Sequence, residues 1–170
     1  MIEMNVAGIA LDAVTRSPIV LLQDGAERRA LPIFIEQDQA KSIIGALENQ
    51  TPLRPLTHDL IVNLFQAWEM ELDRIIIHSL QNKTFYSVLC LHRGETKKEI
   101  DCRPSDAISI ALRTGSPIWV MEEVIANASI PVNRDADEKE RRAFREFVEN
   151  LCPEDFIQRR REVPEDDHEN

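Results

Sequence analysis

The spacing of the apolar residues changes within residues 30–47, which read ALPIFIEQDQAKSIIGAL. The first six positions form a continuous apolar run, which is typical of a strand. After Glu36 the apolar residues recur three and four positions apart, as on one face of a helix. These residues are Ala40, Ile43, Ile44 and Leu47. The sequence therefore predicts a strand, followed from Glu36 by a helix of about three turns.

Further strands are predicted in two groups, one before and one after this region. Before it, apolar runs cover residues 4–14 and 18–22, and the turn signal Asp24-Gly25 favours an antiparallel start. After it, residues 72–102 are rich in Ile, Val, Phe and Tyr and contain turn signals at Asn82 and Gly94. This second group is predicted to be a three-stranded meander.

Two more helices lie on either side of the meander. The first follows a proline-rich break, has Thr57 as its predicted N-cap, and carries an apolar stripe. The stripe consists of Leu60, Ile61, Leu64, Phe65 and Trp68. The second covers residues 104–113 and ends at Gly115, before a short last strand over 117–121. Strands and helices in blocks predict an α+β fold, with antiparallel strand blocks and three to four packed helices.

The chain divides into one domain and a tail. Residues 1–133 are expected to form the single α+β domain, since 170 residues fit one core. Residues 134–158 are predicted to be a charged amphipathic helix, and residues 159–170 a disordered acidic tail.

Composition excludes several classes of protein. The net charge of −10 argues against a general polyanion binder, because non-specific nucleic-acid affinity comes from lysines and arginines. The longest apolar runs are far shorter than the ~18 residues of a membrane span. Three cysteines without metal-ligand spacing argue against a disulfide framework and a zinc site. We expect a cytoplasmic protein that does not interact with membranes.

An Arg-Pro motif occurs twice at a predicted helix start. Its two copies are Arg54-Pro55-Leu56-Thr57-His58-Asp59 and Arg103-Pro104-Ser105-Asp106. In a structural interpretation, the hydroxyl groups cap the helices and the acids interact with the positive helix ends. This interpretation accounts for every residue type in the motifs except the arginines.

A functional interpretation brings the two motifs together in space. Arg54 and Arg103 would then hold a phosphate group. Asp59, Asp106 and His58 would activate water or bind a divalent cation such as Mg²⁺ or Mn²⁺, with Glu36 as a further metal ligand. No P-loop, GxGxxG turn, GxSxG elbow or HExxH helix is present in the sequence.

Three motifs in this order resemble the bifunctional nuclease domain family. They are Leu31-Pro32-Ile33-Phe34-Ile35, the segment from Arg54 to Leu60, and Arg103-Pro104-Ser105-Asp106-Ala107-Ile108 leading to Pro117-Ile118-Trp119-Val120. The resemblance covers about residues 1–133. It implies a self-associating α+β domain that acts on DNA and RNA. Many members have Gly after the first motif and Glu before the following alanine, where this chain has Glu36 and Gln39.

Two functions of different classes follow. The first is a nuclease acting on DNA and RNA by metal-assisted phosphodiester hydrolysis, with catalytic Asp59, Asp106 and His58 and substrate-binding Arg54 and Arg103. The second is a non-catalytic oligomeric module that binds a small anion or a protein at the same helix starts. The acidic charge favours the second, and the resemblance favours the first.

A homo-oligomer is expected in either case. Sheets built from short meanders leave open edges, which tend to pair with other chains. Apolar residues also occupy both faces of the predicted strands within 72–102, which is more than one covered face requires.

Overall fold

The computed structural model describes residues 1–26 and 28–131. The predicted helix over 134–158 and the predicted tail over 159–170 lie outside the described residues. The first half contains β1 (Ile2–Leu11), β2 (Pro18–Asp24), β3 (Arg29–Phe34), α1 (Gln37–Leu47) and α2 (Thr57–Ala67). It is followed by β4 (Glu71–Gln81), β5 (Thr84–Arg93), β6 (Thr96–Cys102), α3 (Pro104–Thr114), β7 (Ile118–Val120), α4 (Glu122–Ala128) and β8 (Ile130–Pro131).

The strands form one continuous sheet in the order β6-β5-β4-β7-β1-β2-β3-β8. Neighbouring strands are antiparallel except β4 and β7, which are parallel. The predicted α+β fold of strand blocks and helices is confirmed. The sequence did not indicate that β7 joins the two blocks: Ile118 pairs with Met4 of β1 on one side and with Ile75 of β4 on the other.

Helix α3 occupies the centre of the molecule. Its residues Ala107, Ile108, Ile110 and Ala111 are almost completely buried. The helix packs on β4 and β5 and also contacts α1 and α2. The starts of α2 and α3 are thereby brought to the same side of the sheet.

The hydroxyl caps predicted for α2 and α3 are wrong. Thr57 is the first residue of α2, and the preceding Leu56 occupies the N-cap position. The Asp59 carboxylate accepts a hydrogen bond from the Leu56 backbone N–H at 2.8 Å. Ser105 is the second residue of α3 and is buried. In α2 a first-turn acid therefore satisfies a backbone N–H at the helix start, whereas the Asp106 carboxylate in the first turn of α3 contacts the side chains of Arg103 and His58.

The predicted apolar stripe of α2 is only partly buried. Phe65 belongs to the core, whereas Leu60, Leu64 and Trp68 are exposed, Trp68 to 63%. The spacing of the apolar residues located the helix correctly, but the face of α2 that is buried is narrower than the apolar stripe. Helix α4 and strand β8 were not predicted. None of the helices within the described ranges is long and apolar enough to cross a bilayer.

Replacing Ile77 with Ala should destabilise the fold by about 2–5 kcal/mol, because the side chain is fully buried on β4 opposite Val120 of β7. Urea unfolding followed by circular dichroism measures the change. Val14→Ala, at an exposed loop position, should change stability by less than about 0.5 kcal/mol. Equal effects of the two substitutions would contradict the assignment of β4 and β7 to the core.

Candidate functional site

A cleft of about 1390 Å³ lies beside the starts of α2 and α3. One wall comes from α1 with Gln39 and Ser42 and from its N-cap Glu36, and another from the α2 start with His58. Arg103 and Asp106 contribute the α3 start, and side chains of β5 and β6 also line the cleft. Residues of both Arg-Pro motifs therefore face one cavity.

Arg103 and Asp106 form a two-point ion pair within the second motif. The Arg103 Nε–H donates to Asp106 Oδ2 at 2.8 Å, and Nη2 donates to Oδ1 at 3.3 Å. The extended backbone at Arg103 and the helical turn from Pro104 place the two side chains together. The Arg103 side chain is still 66% exposed, so solvent reaches it even in the ion pair.

His58 connects the two motifs directly. Its Nε2 lies 3.1 Å from Asp106 Oδ1, across 48 residues of sequence. On the other side of the ring, Nδ1 lies 2.8 Å from the hydroxyl oxygen of Ser42 in α1. A continuous row of hydrogen bonds thus joins Ser42, His58, Asp106 and Arg103. The expectation that the two motifs lie together is met by this geometry.

Asp59 points away from this row and toward the end of α3. Arg113 Nε–H donates to Asp59 Oδ1 at 2.6 Å, while Asp59 Oδ2 accepts the Leu56 N–H. The same guanidinium donates through Nη1 to the backbone carbonyls of Ser42 and Ser109, at 3.2 and 2.9 Å. Arg113 therefore ties α1 and α2 to α3.

The two acids of the motifs are both held in the ionised form. Burial alone would raise the pKa of Asp106, but hydrogen bonds from Arg103 and His58 outweigh it and lower that pKa. The hydrogen bond from Arg113 lowers the pKa of Asp59 below its ordinary value, and the Leu56 N–H adds to the effect. Asp106 in turn raises the pKa of Arg103.

The other two predicted site residues lie at the margin. Glu36 is exposed, lines the cleft, and contributes to the raised pKa of Arg103 through its charge. Gln39, found where many relatives are expected to have Glu, accepts the Glu36 backbone N–H through Oε1 at 3.0 Å. Arg54 is exposed, and it makes no hydrogen bond or ion pair with any residue that the structure describes.

The predicted metal ligands do not fit a cation site. The Asp59 and Asp106 oxygens are already engaged by Arg113, Arg103, His58 and a backbone N–H. Within residues 1–26 and 28–131, no group of three or more His, Cys, Asp or Glu side chains is placed to hold a metal ion. A cation at these carboxylates would compete with the arginines for the same oxygens.

Sequence reasoning missed Ser42 and Arg113. Ser42 lies on the buried side of α1 between Lys41 and Ile43, where a small hydroxyl residue is no recognisable signal. Arg113 lies in the last turn of α3, where a basic residue is typical on electrostatic grounds alone. Their partners on other helices are 16 to 71 residues away in the sequence, so only the fold shows their role.

A comparison with known families identifies the region that contains these motifs. A family model described as the bifunctional nuclease domain matches residues 20–133, which include both Arg-Pro motifs. The chain belongs to this family. The earlier resemblance, which rested on the same motifs, is confirmed.

The relatives of this chain include bacterial and plant proteins. An uncharacterized protein of Mycobacterium tuberculosis is 39% identical over 164 residues, covering 91% of this chain and 97% of its own length. "Bifunctional nuclease 1" of Oryza sativa subsp. indica is 26% identical over 124 residues. "Bifunctional nuclease 2" of Arabidopsis thaliana is 26% identical over 107 residues. The matches cover 71% and 61% of this chain, but only 38% and 32% of the plant proteins.

Replacing Asp59 with Asn should lower the free energy of unfolding by about 1–3 kcal/mol at pH 7, because Arg113, 12% exposed, loses its counter-charge. Since the folded-state pKa of Asp59 is lowered, its contribution is present above the unfolded value of about 3.9. That contribution is lost as the pH falls through the lower folded pKa. The urea midpoints of the wild type and of Asp59→Asn, measured at pH 7, 4 and 3, should differ less as the pH falls.

A matched control for this pair lies on α1. Asp38 pairs with Lys41 at 3.6 Å, but both side chains are more than half exposed. Asp38→Asn should therefore change stability by no more than about 0.5 kcal/mol. A difference between wild type and Asp59→Asn that stays constant from pH 7 to pH 3 would contradict the assigned ion pair.

Proposed function

We propose that this protein is a nuclease that hydrolyses phosphodiester bonds in DNA and RNA. Membership of the bifunctional nuclease domain family supports the reaction class, and the names of the plant relatives point to the same activity. The proposed site is the cleft beside the two Arg-Pro motifs. The side chains proposed to take part in the reaction are those of His58, Asp106 and Arg103.

The observation that carries the proposal is that Asp106 holds a histidine and an arginine on the same wall. The imidazole of His58 is a side chain suited to proton transfer, which is the common requirement for cleaving an ester. Arg103 supplies a fixed positive charge, and Asp106 orients both side chains. A proton-transfer group and an anion-binding group are thus positioned within one hydrogen-bonded unit.

Arg103 has the capacity to bind a phosphate while it remains paired with Asp106. A guanidinium has five N–H donors, and the contacts to Asp106 use one on Nε and one on Nη2. Three donors remain on a side chain that is 66% exposed. Arg54, exposed in the segment that borders the cleft, is proposed to add a second positive charge once the nucleic acid is bound.

The acidic composition limits how the substrate is held. A chain with a net charge of −10 repels nucleic acid at a distance, so binding depends on a few arginines. Few phosphate contacts give weak salt dependence. The alternative, a non-catalytic anion-binding or protein-binding module, uses the same arginines but requires no proton transfer by His58.

The test is cleavage of single-stranded DNA and RNA by the purified full-length chain. Arg103→Ala should lower kcat/KM by about 100-fold, as loss of a charge-stabilising donor does in other sites. His58→Asn should lower it by about 100-fold to 10,000-fold. Arg93→Ala is the matched control, because Arg93 also pairs with an acid, Glu69, but lies on a hairpin away from the cleft.

Three outcomes are informative. Wild-type binding of both nucleic acids without cleavage would contradict the nuclease and favour the binding module. Full activity in folded His58→Asn would place the reaction elsewhere. Assays with EDTA, and with Mg²⁺ or Mn²⁺ added back, test the predicted cation. Activity that depends on the added metal would support a metal site despite the observed pairing of the carboxylates with arginines.

We also propose that the protein forms a homo-oligomer. Leu56, Leu60, Leu64 and Trp68 are spaced four residues apart, so they form one outward-facing apolar row along α2, called here the α2 face. Each is 49–63% exposed. Among the strands of residues 1–26 and 28–131, β6 lies at one edge of the sheet, and its residues 96–101 are exposed. A second copy of the chain is the proposed occupant, since one apolar face can cover itself around a two-fold axis.

Replacing both Leu60 and Leu64 with Glu should convert the oligomer to a monomer, because four charges would be buried in a two-fold contact. Light scattering coupled to size exclusion measures the mass. Val14→Glu, at an exposed loop position, should leave the mass unchanged. A wild-type mass of 19.5 kDa at all micromolar concentrations would contradict the proposal.

A further inference from the structure

Both ring nitrogens of His58 are occupied by protein groups. Nε2 lies 3.1 Å from Asp106 Oδ1, and Nδ1 lies 2.8 Å from Ser42 Oγ. A histidine that activates water directly needs one nitrogen within hydrogen-bond reach of that water. In this arrangement the group within reach of the histidine is the Ser42 hydroxyl.

The direction of the protons in the row follows from the chemistry of its members. Both oxygens of Asp106 accept N–H groups of Arg103, so the carboxylate acts as an acceptor toward His58 as well. Nε2 of His58 must then carry the proton between them. In the neutral imidazole, Nδ1 is left as the acceptor, so the Ser42 hydroxyl donates to it.

A serine hydroxyl that donates to a histidine, which in turn donates to a carboxylate, is the arrangement that activates serine in hydrolases. Here the two ring nitrogens have exchanged roles, because serine contacts Nδ1 and the acid contacts Nε2. Either nitrogen of imidazole can act as the base. The carboxylate stabilises the positive ring in both arrangements.

Ser42 is also held in place from its backbone. Arg113 Nη1 donates to its carbonyl oxygen at 3.2 Å, and the residue lies in the middle of helix α1. Ser42 lines the cleft together with His58, Asp106 and Arg103, although the residue is only 8% exposed. A hydroxyl on the cleft wall with little water around it is favourable for attack on a bound ester.

We infer that Ser42 is the nucleophile of the proposed nuclease and that the reaction passes through a phosphoryl-serine, an inference that rests on the proposed function. In the first step, the bond between Ser42 Oγ and phosphorus forms, and the bond from phosphorus to the leaving oxygen breaks. The Ser42 proton passes to His58 Nδ1 and then to the leaving oxygen. Arg103 binds the phosphate oxygens throughout.

The second step releases the product. Ser42 no longer donates to Nδ1 in the phosphoryl-serine, so that nitrogen is open to a water molecule. His58 takes a proton from the water, the new oxygen bonds to phosphorus, and the bond to Ser42 Oγ breaks. The proton returns from His58 to Ser42. The net reaction consumes one water and leaves a phosphomonoester and a free hydroxyl.

A purely structural role for the same contacts makes different predictions. The row joins α1, α2 and α3, so it would stabilise the packing of three helices without any reactivity. Ser42→Ala would then lower stability and leave the chemistry of the folded protein unchanged. Reactivity toward phosphorus, measured on the wild-type chain, separates the two roles.

The first experiment labels the full-length chain with a fluorophosphonate, in which a serine displaces fluoride from phosphorus. Mass spectrometry of the digested protein should find one phosphonyl group on Ser42. Labelling should fall by at least about 100-fold in His58→Asn, which lacks the base. Ser87→Ala is the control: Ser87 is also buried, but its hydroxyl donates to the Cys102 carbonyl at 2.7 Å.

The second experiment follows the configuration at phosphorus with a chiral phosphorothioate substrate in ¹⁸O water. Two successive displacements give net retention, whereas direct attack by water gives inversion. This measurement uses the wild-type chain, so it does not depend on whether Ser42→Ala folds. Folded Ser42→Ala should lose at least about 100-fold in cleavage rate.

The outcomes separate this inference from the proposed function. Label on Ser42 with net retention supports both. Cleavage with inversion and no label on Ser42 overturns the nucleophile and leaves the nuclease standing. Label on Ser42 without cleavage of DNA or RNA supports the nucleophile and overturns the nuclease. Neither label nor cleavage overturns both.

Discussion

The three residues of β7 connect the two halves of the sheet by backbone hydrogen bonds on both sides. Ile118 to Val120 pair antiparallel with β1 and parallel with β4. The ends of this contact are closed by the Ile75 N–H donating to Pro117 O and the Met121 N–H donating to Ile77 O, at 3.1 and 3.0 Å. Since Gly115, with φ +68°, ends α3 just before β7, the strand also fixes the position of α3.

A fixed α3 determines where the candidate site is built. Asp106, Ser109 and Arg113 are spaced three and four residues apart, so they share one face of the helix. From this face Asp106 reaches His58, and Arg113 reaches the adjacent Asp59. Two consecutive residues of α2 are thus held by side chains two turns apart on α3. The geometry of the cleft depends on α3 more than on the loops around it.

The sequence predicted the parts of this site that lie close together in the chain. Arg103 and Asp106 are three residues apart, and the proline between them indicates a helix start. The sequence could not show that Arg113 binds Asp59, because those residues are 54 positions apart and each is ordinary in its own helix. Periodicity likewise located α2 but could not show that Trp68 stays uncovered, since burial depends on neighbouring elements. The two strand blocks are joined through β7. A strand of three residues is too short for its sequence to indicate which strands it pairs with.

The charges of the site set conditions for the phosphate binding proposed for the nuclease. Asp59 and Asp106 are balanced by Arg113 and Arg103, so the paired groups are neutral together. Removing Arg113 from Asp59 to admit a metal would leave a mostly buried guanidinium without its partner, which is costly. In the proposed nuclease, a phosphodiester would instead bind the remaining N–H donors of Arg103 and leave the ion pair with Asp106 intact. Asp106 also keeps its contact with His58, so its negative charge would favour a positive ring when a proton is transferred to it. The proposed phosphate-binding group and the proposed proton-transfer group are thus held by a single carboxylate.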